Sequence, residues 1–338
     1  MDQYKKPVLT DPIERVAPYD SFALDVLAGL SEPHKSIPSQ YLYDDIGSRL
    51  FVEITRLPEY YLTACERDVL AANAPCIGSY VANAPFNLVE FGPGDGHKTS
   101  LLIDHFRARR FDFCYVPIDI SPSAIATLCP TLRRDFPGLE ITPLVSEYFT
   151  GIRSLSRRSR RRNLVLFLGS NIGNFSPDQA RRFLRNLWLS LNHGDILLIG
   201  FDLMKDIDVL RRAYNDDQGV TAAFNLNLLK RITRELDGNF ALSRFRHFGT
   251  YNPASGAMES YLVSLTHQHV HVGAIRRTFP FRAWESIHTE HSRKYLESDI
   301  AALASDTAFV VCEHLYDSKR WFVDSVWEVQ KTDRKSVV

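Results

Sequence analysis

The residues whose types and spacing carry the most chemistry are the glycines of Val89-Glu90-Phe91-Gly92-Pro93-Gly94-Asp95-Gly96-His97-Lys98-Thr99. An apolar run ends there and a helical pattern begins. Glycines at such a junction let the backbone and a helix N-terminus approach a ligand closely. A dinucleotide reader would show G-x-G-x-x-G, but His97 stands where its third glycine belongs, and NAD and FAD lose ground. The same histidine precedes Lys98-Thr99 and breaks the G-x-x-x-x-G-K-[ST] loop of phosphoryl-transfer proteins. Asp119 closes the next apolar run, Pro117-Ile118-Asp119-Ile120-Ser121. A carboxylate there can accept hydrogen bonds from both hydroxyls of a ribose, although a strand-end aspartate taken alone is as often structural. Ser146-Glu147-Tyr148-Phe149 follows the third run and sets an acidic side chain beside an aromatic one, a pair suited to the edge and face of a purine.

The elements that must position these residues are legible in the apolar pattern. Runs at 87–91, 113–119, 139–145, 163–169 and 195–202 are short, rich in β-branched and aromatic residues, and lack in-out alternation, so they read as strands buried on both faces. Helical stretches such as Thr99 to Arg109 and Pro177 to Leu191 fill the gaps. Successive β-α units imply a parallel, doubly wound sheet. After Met204 come helical stretches and then MESYLVSLT and HVHVGAIRRTF, two alternating runs that suit an antiparallel pair. The segments 309–317 and 321–329 read as a terminal hairpin. The expected fold is therefore α/β, a Rossmann-like doubly wound sheet finished by an antiparallel hairpin, which is the plan of class I methyltransferases, plus an α+β substrate-binding lobe. Residues 66–204 and 294–331 would form the first part, 1–65 and 205–293 the second, and 332–338 a tail.

Composition narrows the classes of partner. Forty basic residues balance forty acidic ones, so no overall field steers nucleic acid or an anionic membrane to the chain. The run RSLSRRSRRR from Arg153 to Arg162 lacks interleaved aromatics and reads as a solvated connection into a strand. No apolar run approaches the ~18 residues of a membrane span. The N-terminal MDQYKKPVLTDPIERV lacks the apolar core of a signal peptide, and its acidic residues speak against a transit sequence. A cytoplasmic monomer with a small-molecule partner, and with neither nucleic acid nor membrane, is expected. The five cysteines are scattered and never form C-x-x-C, so they read as reduced thiols. His267, His269 and His271 share one face of any strand but have no further ligand at suitable spacing, and no metal is expected.

Longer motifs carry a resemblance. Phe167-Leu168-Gly169-Ser170-Asn171-Ile172-Gly173-Asn174-Phe175-Ser176-Pro177, with Leu57-Pro58-Glu59-Tyr60-Tyr61, Tyr41-Leu42-Tyr43-Asp44 and Thr289-Glu290-His291-Ser292, resembles the histidine Nα-methyltransferases of ergothioneine biosynthesis. The likeness runs from about residue 22 to residue 328. It implies S-adenosylmethionine (SAM) as cofactor, S-adenosylhomocysteine as its product, and methylation of the α-amino group of histidine, up to the trimethylated hercynine. By motif match Tyr43, Gly92, Gly94, Lys98, Asp119, Glu147 and Tyr148 fall on cofactor positions. Asn174 and Tyr214 fall where the substrate's amino and carboxylate groups are held, with Gly169 lending backbone, and Phe51, Tyr60, Glu290 and Ser292 fall around the imidazole. Asn174, Tyr214 and Tyr43 are the residues implied in the transfer itself. Methyl transfer is an in-line displacement, so positioning should dominate catalysis. A carboxylate and a hydroxyl two residues apart, Glu290 and Ser292, can serve the two nitrogens of an imidazole.

The sequence departs from the family pattern at three places. The glycine turn reads GPGDG instead of a Ser-Thr-rich version, Glu147 replaces an aspartate, and Ser260 stands where a methionine lines the substrate ring. A smaller residue at 260 would admit a larger ring such as indole, and fungal relatives do methylate tryptophan derivatives. Another aromatic amino acid thus stays open as acceptor. A protein or RNA methyltransferase is the more distant alternative, and it would call for a basic or aromatic groove.

Overall fold

In the computed structural model, which describes residues 18–82 and 84–331, the alternating apolar runs become one sheet with helices on both faces. The N-terminal stretch read against a signal peptide and the tail at 332–338 lie outside the described residues. The chain runs through α1 (Pro18–Ser31), α2 (Asp45–Ile54), α3 (Tyr61–Ser79), β1 (Phe86–Phe91), α4 (Thr99–Ala108), β2 (Phe113–Asp119), α5 (Pro122–Asp135), β3 (Leu144–Val145), α6 (Tyr148–Arg158), β4 (Arg162–Phe167), α7 (Pro177–Ser190) and β5 (Ile196–Asp202). It continues through α8 (Ile207–Ala213), α9 (Val220–Glu235), β6 (Phe245–Asn252), β7 (Ala257–Ser264), β8 (Gln268–Val272), β9 (Arg277–Phe281), β10 (Ser286–Arg293), α10 (Glu297–Asp306), β11 (Phe309–Tyr316) and β12 (Phe322–Val329).

The seven-stranded sheet has the order β11-β12-β5-β4-β1-β2-β3. β1 lies parallel to both β2 and β4, and β12 lies antiparallel to both β5 and β11. This is the class I methyltransferase plan. The strands are buried on both faces because adjacent residues feed opposite layers: Leu88 and Leu164 pack with α3 and α4 through Val69, Leu102 and Phe106, while Val89 and Val165 pack with α6, α7 and α10 through Ile152, Leu184 and Ile300. Strand order reverses between β1 and β4, and ligands of such sheets bind beyond the carboxyl ends of the strands at that point. The glycine turn after β1 and the Gly169 loop after β4 both begin there.

Four expectations change. The third strand shrinks to Leu144–Val145, with one isolated bridge from Tyr115 to Ile141. Pro143 between them has no N–H to give a ladder, and the segment lies at the sheet edge. The runs MESYLVSLT and HVHVGAIRRTF do not pair with each other: β7 joins a three-stranded sheet of order β10-β7-β6, and β8 pairs with β9. A hairpin partner nearer in sequence won. Half of the arginine run is the last turns of α6 rather than a loose connection, and Arg162 already begins β4. Finally, the compact units are not the expected lobes. One comprises residues up to Ser48, Phe224–His247 and Tyr261–Thr289; the other comprises Arg49–Ala223, Phe248–Ser260 and Glu290–Val338. Segments 49–65, 205–223, 248–260 and 290–293 thus belong to the sheet unit.

Among the described residues no helix is long and apolar enough to cross a membrane. All five cysteines are free thiols. His269 and His271 are exposed on β8, as on a solvated strand face.

Candidate active site

The glycine turn is held from below by Glu90, a fully buried carboxyl that accepts from Thr99 Oγ1 at 2.6 Å and from the Tyr115 hydroxyl at 2.5 Å. Burial pushes its pKa up to about 7 against those two bonds. Above it Gly92 and Gly94 have φ of 62° and 58°, a region that disfavours side chains. A Cβ on Gly92 would lie 2.9 Å from the Tyr148 hydroxyl, whereas one on Gly94 would meet nothing within 4 Å. The turn therefore has a closed side and an open side. Tyr148 stacks on Phe91 at 4.8 Å, so what it brings to the turn is its hydroxyl, with its pKa pushed up to about 12 by burial and by the Asp119 charge. Asp119 ends β2 half-buried, accepts from Ser121 N at 2.8 Å, and has its pKa raised by burial. Glu147 is exposed as the N-cap residue of α6. An open glycine turn beside a half-buried, acceptor-rich carboxylate fits a nucleoside with two adjacent hydroxyls.

Lys98 is already engaged. Its ammonium is bonded to Glu66 of α3, and Glu66, 1% exposed, also accepts from the backbone N–H of Gly169 at 2.6 Å. One buried carboxylate thus ties the glycine turn to the end of β4. The Gly169 N–H is spent on Glu66, which leaves its carbonyl for a ligand. Asn174 closes a 3-10 turn, Asn171–Asn174, entered through Ser170 in a left-handed conformation at φ 55° and followed by α7. α7 begins with a capping box between Ser176 and Gln179 and with Pro177 in its first turn, so the residues around Asn174 are stiffly set. Asp202 N donates to Ser170 Oγ at 3.0 Å and ties this loop to the end of β5.

The remaining residues expected on the substrate side fall into two groups. Phe51 of α2 and Tyr60 meet edge to face, with centroids 6.1 Å apart. Tyr214, Ser260, Glu290 and Ser292 are brought together around β10. Glu290 accepts from Ser260 Oγ at 3.2 Å, and Tyr214 donates to Ser292 Oγ at 2.7 Å. Glu290 lies half-buried within β10 rather than on the surface ahead of a helix, and burial raises its pKa against the Ser260 bond and the Lys294 charge. Tyr43 belongs to the smaller unit, where it is exposed and packs edge-on against Phe224 at 5.4 Å.

A family model described as histidine-specific methyltransferase, SAM-dependent, matches residues 22–329. The chain belongs to this family. A histidine N-alpha-methyltransferase of Mycobacterium tuberculosis is 39% identical over 82% of the chain and 85% of its own length. Ergothioneine biosynthesis protein 1 of Schizosaccharomyces pombe is 30% identical over 67% of the chain and 30% of its own length. A 4-dimethylallyltryptophan N-methyltransferase of Claviceps purpurea is 26% identical over 72% and 76%.

In this histidine-specific methyltransferase, the groups that sequence reasoning missed lie beneath the predicted ones. Asp202, at the end of β5, is fully buried and faces two ammonium groups, Lys205 at 2.5 Å and Lys294 at 2.9 Å. Tyr61 donates to the same carboxylate at 2.7 Å. Lys294 also donates to Tyr214 and to Ser292, each at 2.9 Å. One signal could have found it: Glu290, Ser292 and Lys294 continue the period of two that puts strand residues on one face. Glu66 had no comparable signal. At the expected ribose position, Asp119→Asn keeps one acceptor oxygen but loses the charge, and its affinity for S-adenosylhomocysteine should fall about tenfold by titration calorimetry.

Proposed function

We propose that the chain transfers methyl groups from SAM to the α-amino group of L-histidine, up to the trimethylated product hercynine, a step toward ergothioneine. The observation that carries this is the half-buried Glu290 on one strand face with Ser292, joined by Ser260 and backed by Lys294. A wall of polar groups set largely out of solvent favours a polar ring, because an apolar one would leave those groups unpaired.

When bound, SAM would supply a methyl carbon made electrophilic by a positively charged sulfur, which can leave as a neutral thioether. Asp119 would take the ribose hydroxyls, and the Gly92 and Gly94 turn the methionine half. Lys98, paired with Glu66, sets the edge of that turn. Asn174 can give its NH₂ to the substrate carboxylate and its carbonyl to the amine, and the Gly169 carbonyl can hold a second amine proton. Together they would aim the nitrogen lone pair, which is where an in-line transfer gains most. Phe51 and Tyr60 would cover the ring, while Glu290 and Ser292 take its nitrogens. Tyr43 is assigned to cofactor binding and transfer by motif match alone. The balanced charge of the chain gives no overall field that would steer nucleic acid or an anionic membrane to it, which supports a small-molecule partner.

The indole reading has one observation in its favour, the small Ser260 beside Glu290. Incubating the protein with SAM and each amino acid in turn, with products weighed by mass spectrometry, decides between the two. Histidine should gain one to three methyl groups and tryptophan none. Methylated tryptophan without methylated histidine would reverse the assignment.

A further inference from the structure

The Lys294 side chain is fully enclosed, and its ammonium stands 2.9 Å from each of Asp202 Oδ2, the Tyr214 hydroxyl and the Ser292 hydroxyl. An ammonium has three N–H donors and no acceptor, so these three oxygens use it completely. Tyr214 and Ser292 must therefore each receive a hydrogen bond from it. The two hydroxyls also meet each other, with Tyr214 donating to Ser292 at 2.7 Å. The reverse arrangement would load a second bond onto a phenol oxygen that already accepts from Lys294. Ser292 thus accepts twice, and both of its lone pairs are taken. What remains is its own proton.

Two residues earlier on β10, Glu290 presents the opposite character, since an ionised carboxylate only accepts. A donor-only hydroxyl next to an acceptor-only carboxylate matches a ring with one bare nitrogen and one N–H, which is neutral imidazole. We propose that Lys294 is a specificity-determining positioning residue: by occupying Ser292 and Tyr214 as a donor, it makes Ser292 an obligate donor toward the substrate ring. This rests on the reading of Glu290 and Ser292 as the ring-binding pair. Without Lys294 the Tyr214 oxygen regains a lone pair, the Ser292 proton can turn back to it, and a ring lacking a bare nitrogen is no longer penalised.

The test compares kcat/KM for histidine with that for the two pyrrolylalanine isomers, which keep an N–H at one ring position and carry C–H in place of the bare nitrogen. In the wild-type protein the better isomer should run at least about tenfold below histidine, the cost of one buried donor left unpaired. In Lys294→Met, and in Lys294→Gln, whose carbonyl can accept the Ser292 proton, the gap should close to within about threefold. A purely structural Lys294 would lower both substrates together and leave their ratio unchanged, and that result overturns the proposal. So does a wild-type protein that takes a pyrrole as readily as histidine, a measurement that needs no variant. If histidine itself gains no methyl group, the functional reading has failed instead.

Discussion

Glu290→Ala should lower kcat/KM for histidine about a hundredfold, the worth of a hydrogen bond between a ring N–H and a buried charged acceptor together with the cost of leaving that N–H unpaired. Activity toward tryptophan, if any is measurable, should fall far less, because an indole gains room where the carboxylate stood. Equal losses for the two amino acids would refute the assignment of Glu290 to the ring. Stability should move in the opposite direction. The folded-state pKa of Glu290 is raised above its ordinary value of 4.5, chiefly by burial. Its contribution to stability is therefore complete below that value and is lost as pH rises through the folded-state pKa. Glu290→Gln should accordingly be more stable than wild type at neutral pH without substrate, and the advantage should vanish in acid. Thermal unfolding at several pH values measures this. A carboxylate that costs stability at the pH of work is an ordinary sign of a group retained for binding.

Asp202→Asn should have the largest effect on the fold. Asp202 holds Lys205 at 2.5 Å and Lys294 at 2.9 Å in a site where Asp202 and Lys294 are fully buried and Lys205 nearly so, and removing one partner of such a cluster costs about 3–5 kcal/mol. Burial opposes its ionisation, but the two ammonium groups outweigh that and hold its pKa below its ordinary value of 3.8. The stabilisation is thus present above that value and is lost as pH falls through the lowered one. The variant should show that loss already at neutral pH, as a lower midpoint in urea. An unchanged midpoint would mean that the two lysines find other acceptors. The same variant should weaken histidine binding, since Lys294 would lose the anchor that directs it at Tyr214 and Ser292.

The sheet was legible because its strands are apolar on both faces, and no other element gives five short β-branched runs at that spacing. Where the sequence misled, a local competitor had won: Pro143 cut the third strand, and β9 captured β8 before β7 could. The site divides in the same way. Gly92 and Asp119 stand out because a glycine or a carboxylate at a strand end is conspicuous, whereas Glu290 came only with the resemblance carried by Thr289-Glu290-His291-Ser292. Gly169 and Asn174 came through the long motif after β4, whose stiffness the structure explains by the capping box and the left-handed Ser170. Glu66, Asp202 and Lys294 were invisible as a group, because their meaning lies in contacts among α3, β5 and the residue after β10, which no local pattern encodes. They orient the conspicuous residues, and Lys294 decides which way a hydroxyl proton points.

The central claim is that one polar wall holds an imidazole while Asn174 aims the α-amine. A crystal structure with S-adenosylhomocysteine and histidine tests it most directly. The expected result places one ring nitrogen within hydrogen-bond reach of the Glu290 carboxylate, the other at Ser292 Oγ, and the α-amine at Asn174. A ring bound away from Glu290, or an amine turned from Asn174, would contradict it.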